Sequence, residues 1–228
     1  MILLVAATQR EIQPLLPEKS ELIIGVPFPL NTFKDVKVEL LVTGVGPVAT
    51  TLFLSKAIET LQYDLIVNIG IAGVFSPELN IGDVVVVSQD TFADFGVDNK
   101  GEFVPAYQAG LVKANEFPFE NGELVWRYKN HFPVLNAYHE VTGITVSMAT
   151  GSEERVKTMK ELFSPEIETM ESAAVFYTCI INRMPFFCLR SISNRVEPRD
   201  VKKWNMPLAV EKLCESTVKI IEKLNIVY

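Results

Sequence analysis

Short apolar runs, rich in β-branched residues and each closed by glycine, proline or a polar cluster, recur along the 228-residue chain. The clearest span 2–7, 38–43, 64–70, 83–88, 142–147 and 185–191. They are apolar throughout rather than alternating, which predicts strands buried on both faces. Helical periodicity fills several of the gaps. Residues 47–62 begin with Pro47, suited to the first helical position, and carry Val48, Leu52 and Ile58 toward one side. Ser152, followed by Glu153 and Glu154, predicts an N-cap with acids in the first turn. Two more helices are predicted over 171–182 and 207–224, the second with Leu213, Ile220, Ile221 and Leu224 at helical intervals. Strand–helix alternation predicts an α/β domain on a largely parallel sheet with helices on both faces. The stretch 92–130 breaks the alternation. Its Phe, Gly, Asn and Glu content predicts long loops that build or cover a site. With no internal repeat or low-complexity segment, residues 1–228 read as one domain.

Composition narrows the partners. Twenty-one Lys and Arg against 28 Asp and Glu leave a net charge of −7, so a phosphate backbone would be repelled and no nucleic-acid partner is expected. Mean hydropathy is +0.22, yet no apolar run reaches the length of a membrane span, and no membrane partner is expected. The run at 2–7 lacks a basic flank and is too short for a signal segment, which points to a buried first strand in a cytoplasmic protein. Cys179, Cys188, Cys214, His131 and His139 are too scattered for zinc spacing, so no metal is expected. Each cysteine sits in an apolar context and reads as a small buried hydrophobe. His139 reads as a surface or strand-edge residue.

Candidate chemistry collects where the predicted strands end, the usual place in such folds. Those ends read Thr8-Gln9-Arg10-Glu11, Thr43-Gly44-Val45-Gly46-Pro47, Asn68-Ile69-Gly70-Ile71-Ala72-Gly73 and Arg190-Ser191-Ile192-Ser193-Asn194. Glu168-Thr169-Met170-Glu171 places carboxylates ahead of an apolar helix. Gly44-Val45-Gly46 lacks the third glycine of a dinucleotide turn, and no Gly-Lys-Ser/Thr follows for a triphosphate loop. Two glycine turns at successive strand ends would suit a flat ligand lying against backbone. Glu11 and Glu171 each have a structural reading, as a surface first-turn acid and as a helix N-terminal acid. Glu171 also has a functional one, since a carboxylate at the head of a buried helix needs partners and substrate hydroxyls can serve.

Asn68-x-Gly-x-Ala-Gly, Glu168-x-Met170-Glu171 and Arg190-x-Ile192-Ser193-Asn194, with the early Glu11, resemble the purine nucleoside phosphorylase and nucleosidase superfamily. Within it, the tail from Ile192 to Asp200 and the turn Thr150-Gly151-Ser152-Glu153-Glu154 resemble the futalosine hydrolases, nucleosidases of an alternative menaquinone pathway. The resemblance implies a single domain with a twisted, mixed, partly closed sheet flanked by helices, no cofactor, and a homo-oligomer acting on a small nucleoside. It implies that Glu171 accepts hydrogen bonds from ribose hydroxyls, that Met170 packs under the sugar, and that Glu11 takes a proton from attacking water. Val45, Ala72, Gly73, Ala149 and Asn194 complete the implied substrate contacts.

Two departures carry information. Phosphorylases of the superfamily hold phosphate with an arginine where this chain has Asn68 and a hydroxyl where it has Ile71, and neither replacement can cradle a dianion. Adenine-cleaving relatives have an aspartate where this chain has Asn194, whose amide donors suit O6 and N7 of a 6-oxopurine. The expected reaction is hydrolysis of futalosine to hypoxanthine. An adenine-type nucleosidase acting on methylthioadenosine, S-adenosylhomocysteine or aminofutalosine is the alternative. A non-catalytic nucleoside-binding protein is a third reading, though binding alone has no need of Glu11. Arg195, Arg199 and Lys203 are candidates for a distal carboxylate or form a solvated basic loop. Trp204 can stack on a ring, and Phe95 reads as core.

Overall fold

In the computed structural model, residues 1–18, 20–30, 33 and 36–224 are described. The predicted apolar runs form β1 (Ile2–Ala6), β3 (Val38–Val42), β4 (Leu65–Val74), β5 (Val84–Asp90), β9 (His139–Thr145) and β11 (Phe186–Arg195). The predicted helices are α1 (Pro47–Thr60), α2 (Glu153–Phe163), α3 (Ser172–Ile181) and α4 (Met206–Lys223). Short strands complete the set: β2 (Phe28–Leu30), β6 (Gly96–Asn99), β7 (Glu102–Pro105), β8 (Leu124–Val125) and β10 (Ile167–Thr169). The stretch 92–130 is therefore more than loop, since β6 and β7 pair as a hairpin and β8 adds to β5.

The sheet is mixed, and it closes on itself. β1 and β11 run parallel to β4, and β5 and β10 parallel to β9, while β5 is antiparallel to β11 and β2 to β3. β10 also pairs antiparallel with β4, so β4, β11, β5, β9 and β10 form a closed ring with β1, β3 and β2 extending from it. One edge of β4 is shared. β1 pairs with it only as far as Asn68, and β10 begins at Gly73. The backbone between is left open where the two neighbours part, which is the kind of switch point that makes a crevice.

The core lies on both faces of this sheet. α3 buries Ala173, Val175 and Phe176, with Phe176 packed edge-on to Phe186 at 4.9 Å between centroids. α4 buries Leu213, Ile220 and Ile221 as its periodicity predicts. α1 departs from its predicted face: it buries Thr50, Leu54 and Ala57, while Val48 is 81% and Leu52 48% exposed. The three cysteines are buried and unpaired. Burial pushes the Cys188 and Cys214 thiols up to about 12 and Cys179 well above its ordinary value, as inert core thiols require. His139 lies exposed at the start of β9, 3.7 Å from Glu166.

Candidate active site

Glu11 stands in a 3-10 turn (Gln9–Leu15) that follows β1 directly. The turn is capped by its own carboxylate: Oε2 accepts from the Thr8 amide at 2.9 Å and the Thr8 hydroxyl at 3.0 Å. Oε1 points the other way and accepts from the Ile71 amide at 3.2 Å, in the open stretch of β4. The surface-acid reading is thereby set aside, because Glu11 is buried. Gly70 is required by this approach, since a Cβ there would lie 3.0 Å from Oε1 and 3.6 Å from the Arg190 guanidinium carbon. Asn68 to Gly73 is therefore not a turn. It is strand interior whose glycines admit side chains from neighbouring elements.

Glu171 sits one residue ahead of α3, yet it does not cap the helix. Thr169 and Thr145 hydroxyls accept from the Ser172 and Ala173 amides at 3.2 and 2.8 Å, which leaves the Glu171 carboxylate free to reach elsewhere. Its Oε1 accepts from the Gly46 amide at 2.9 Å. Gly44 and Gly46 have φ of +83° and +96°, so this loop needs glycine for conformation. Burial pushes the Glu171 carboxyl up to about 6, against the Gly46 hydrogen bond and with help from the Glu11 charge.

Arg190 is the buried cation of the site. One guanidinium nitrogen donates to the Leu189 carbonyl at 2.7 Å and another to Asn68 Oδ1, while Asn68 Nδ2 donates to the Val5 carbonyl at 3.0 Å. Arg190 lowers the carboxyl pKa of both Glu171 and Asp90. Burial nevertheless pushes Asp90 up to about 7. The sequence motif contained Arg190 but gave no sign that it would balance two carboxylates, Glu171 and Asp90, from separate parts of the chain.

Asn194 lies beside a β-bulge, where the register of β11 on β4 shifts between Ile192 and Asn194, the kind of irregularity that re-aims a side chain. Its Oδ1 accepts from the Ser193 hydroxyl at 2.8 Å, and its Nδ2 donates to the Arg195 carbonyl at 2.9 Å. Gly73 pairs with Asn194 on one side and Glu168 on the other. A Cβ on Gly73 would lie 2.8 Å from Val196 Cγ2 and 3.3 Å from Asn194 Nδ2, so the glycine lets both side chains close over the strand.

The other implied contacts differ in burial. Ala72 is buried in β4, Met170 is partly buried between β10 and α3, and Val45 and Ala149 are exposed on their loops. Ala149 is tied in through its neighbour, since the Thr150 amide donates to Glu168 Oε1 at 2.9 Å. Arg195 is not free for a ligand: it donates to the Ser76 and Leu79 carbonyls. Lys203 pairs with Glu197 at 2.6 Å, and Arg199 lies over the Trp204 ring at 5.1 Å. Phe95 is 52% exposed, which corrects its expected place in the core. A separate hollow of about 370 Å³, lined by Phe117, Tyr128 and Arg183, holds none of these carboxylates.

Among the described residues, no cluster of three or more His, Cys, Asp or Glu could hold a metal ion, and no helix is long and apolar enough to cross a membrane. The chain is 29% identical over 194 residues to futalosine hydrolase of Streptomyces coelicolor, covering 80% of this chain and 77% of that protein. It is 24% identical over 200 residues to the 5′-methylthioadenosine/S-adenosylhomocysteine nucleosidase of Buchnera aphidicola, covering 86% and 83%. The crystal structure of S-adenosylhomocysteine nucleosidase from Streptococcus pyogenes with 5-methylthiotubericidin shares the fold, with a TM-score of 0.80, 20% identity, and coverage of 99% and 97%. With its closed mixed sheet and a family match that runs from residue 2 to residue 222, this chain belongs to the phosphorylase superfamily.

Proposed function

We propose that the protein is a purine nucleosidase that hydrolyses the N-glycosidic bond of futalosine, releasing hypoxanthine. The observation that carries hydrolysis is the state of Asn68. Its amide is turned inward, with Oδ1 accepting from Arg190 and Nδ2 donating to the Val5 carbonyl, and Ile71 gives its amide to Glu11. A neutral, inward-held amide and an aliphatic side chain supply neither the cation nor the hydroxyl that a phosphate dianion needs.

Cleavage of such a bond passes through an oxocarbenium-like ribose while negative charge moves onto the base. Glu171 is the acceptor for the ribose hydroxyls and supports the positive sugar when ionised. Water attacks C1′ as the C1′–N9 bond breaks, and Glu11 takes the proton that water gives up. Asn194 has no proton to hand over. It donates a hydrogen bond to the departing base, which is protonated by solvent. The choice of a 6-oxopurine rests on that amide and on the likeness to the Streptomyces coelicolor enzyme. Incubation of pure protein with futalosine, aminofutalosine and methylthioadenosine tests the reading. Hypoxanthine is expected from futalosine at a rate that added phosphate leaves unchanged. Adenine as the main product, or a sugar 1-phosphate, would replace it.

We also propose a homodimer in the cytoplasm. Val48 and Leu52 on α1, with Ile23, Ile24, Val26 and Val45, make an outward apolar face around the Gly44–Gly46 loop. Ile24 comes within 3.9 Å of the Cβ position of Gly44, so the face is continuous with that loop. A monomer rarely exposes such a patch without use. Sedimentation equilibrium should give twice the 25.5 kDa chain mass, and a monomer at micromolar concentration would refute the pairing. The unpaired buried cysteines suit a reducing compartment.

A further inference from the structure

The loop between β9 and α2, which carries Ala149, is held by carboxylates in addition to two backbone hydrogen bonds at its ends, from the Val146 amide to the Thr169 carbonyl at 3.0 Å and from the Arg199 amide to the Gly151 carbonyl at 3.2 Å. Asp94 Oδ2 accepts from the Ser147 amide at 2.5 Å and the Met148 amide at 3.1 Å. Glu168 Oε1 accepts from the Thr150 amide at 2.9 Å. Arg155 acts on both acids: its Nη2 is 3.9 Å from Asp94 Oδ2, an ion pair too long for a hydrogen bond, and its charge lowers the Glu168 pKa.

Three features of this cluster are unusual. Arg155 occupies the first turn of α2, where the helix dipole disfavours a cation. Its Nε and Nη2 are buried and make no hydrogen bond, and the same holds for Glu168 Oε2. Glu168 is only 8% exposed and has another carboxylate, Asp94, beside it. Buried charges without full hydrogen bonding are costly, so a cation set against its local preference calls for a compensating role.

We propose that Arg155 is a positioning residue that joins Asp94 and Glu168 into a clamp on the loop 147–151, and thereby fixes the wall of the base site that carries Ala149. The proposal rests on the nucleosidase reading, through which Ala149 becomes a substrate contact. An ionised carboxylate is a stronger acceptor for a backbone amide than a protonated one. Burial raises the Glu168 pKa and so does Asp94, while the Thr150 hydrogen bonding and Arg155 lower it. Asp94 and Arg155 are the charged groups that act on it. Without Arg155, Glu168 takes up a proton at higher pH, and its hold on Thr150 weakens.

Arg155→Met is expected to raise KM about tenfold at neutral pH with kcat changed less than threefold. With Glu168 raised by burial and no longer opposed by Arg155, raising the pH ionises it again, and the KM of this variant should fall back toward the parent value. Arg155→Lys should restore the parent profile, and adding Glu168→Gln to Arg155→Met should flatten it. A purely structural role would lower thermal stability without producing a pH-dependent KM. Hydrogen exchange gives an independent readout: amides of 147–151 should lose protection in Arg155→Met while those of β1 and β4 keep it. Parent-like KM and pH profile in Arg155→Met, or unchanged loop exchange, overturns the clamp. If the parent itself releases no base from any nucleoside, the nucleosidase reading fails, and loop exchange alone still decides whether Arg155 holds the loop.

Discussion

Glu11→Gln is expected to keep the fold and lose about 10²–10⁴ of turnover, the usual loss for a positioned general base. The structure says what else the change does. Glu11 accepts three hydrogen bonds, two on Oε2 from Thr8 and one on Oε1 from Ile71. A glutamine keeps one carbonyl oxygen and can satisfy Thr8 with it. Its NH₂ then faces the Ile71 amide, donor against donor, and a mismatch of this kind costs about 1–3 kcal/mol. The variant should therefore unfold somewhat earlier while still binding hypoxanthine, and binding measured by calorimetry separates loss of chemistry from loss of structure. The pH profile gives a second readout. Glu171 must be ionised to support the ribosyl cation, and its carboxyl is pushed up to about 6, so parent kcat/KM should fall as pH drops through about 6. The Glu11 charge contributes to that upward push. Removing it should move the acid limb of the residual activity to lower pH. Turnover at the parent rate would reduce Glu11 to a capping residue of its turn.

How much of this was legible beforehand depends on what each residue interacts with. The runs at 2–7, 38–43 and 64–70 are strands because they are apolar on both faces, a property visible in the sequence. The α1 face was misread for the same reason in reverse. Val48 and Leu52 are apolar at helical spacing but turn outward, and spacing alone does not distinguish a core face from an exposed apolar one. β10 is three residues long, too short for any periodicity, yet it closes the sheet. The β6–β7 hairpin carried a usable signal in Asn99-Lys100-Gly101-Glu102. Lys100 and Gly101 both have positive φ, but lysine is an unusual first residue for such a turn.

The glycines of β4 teach a different lesson. In the sequence Gly70 and Gly73 read as a turn, because glycine most often marks one. They stand inside a strand, and the space they leave is filled by Glu11 and Arg190 at one position and by Asn194 and Val196 at the other. The motif was readable and its local geometry was not, since the close neighbours come from distant parts of the chain. Arg155 gave no signal at all. Its partners Asp94 and Glu168 meet only after β9, β10 and α2 have packed.

Changing Asn194 to Asp should invert the preference between purines. Asn194 Nδ2 spends one hydrogen on the Arg195 carbonyl and keeps the other, while Oδ1 is held by the Ser193 hydroxyl. An aspartate can keep the Ser193 contact, but its second oxygen then faces the Arg195 carbonyl, acceptor against acceptor. That repulsion favours the protonated carboxyl. For a 6-oxopurine, with acceptors at O6 and N7, an ionised aspartate replaces attraction by repulsion, and an unpaired polar group costs about 1–3 kcal/mol. For a 6-aminopurine the carboxylate accepts from the amino group, and the protonated form donates to N7, which also supplies the leaving base with the proton Asn194 lacks. Asn194→Asp should therefore lower kcat/KM for futalosine and raise it for aminofutalosine, shifting their ratio by at least about tenfold, or roughly 1.4 kcal/mol. The measurement is kcat/KM for both nucleosides with both proteins. Equal losses on the two would mean that Asn194 only shapes the bulge at Ser193, and the base preference would have to come from the loop that carries Ala149.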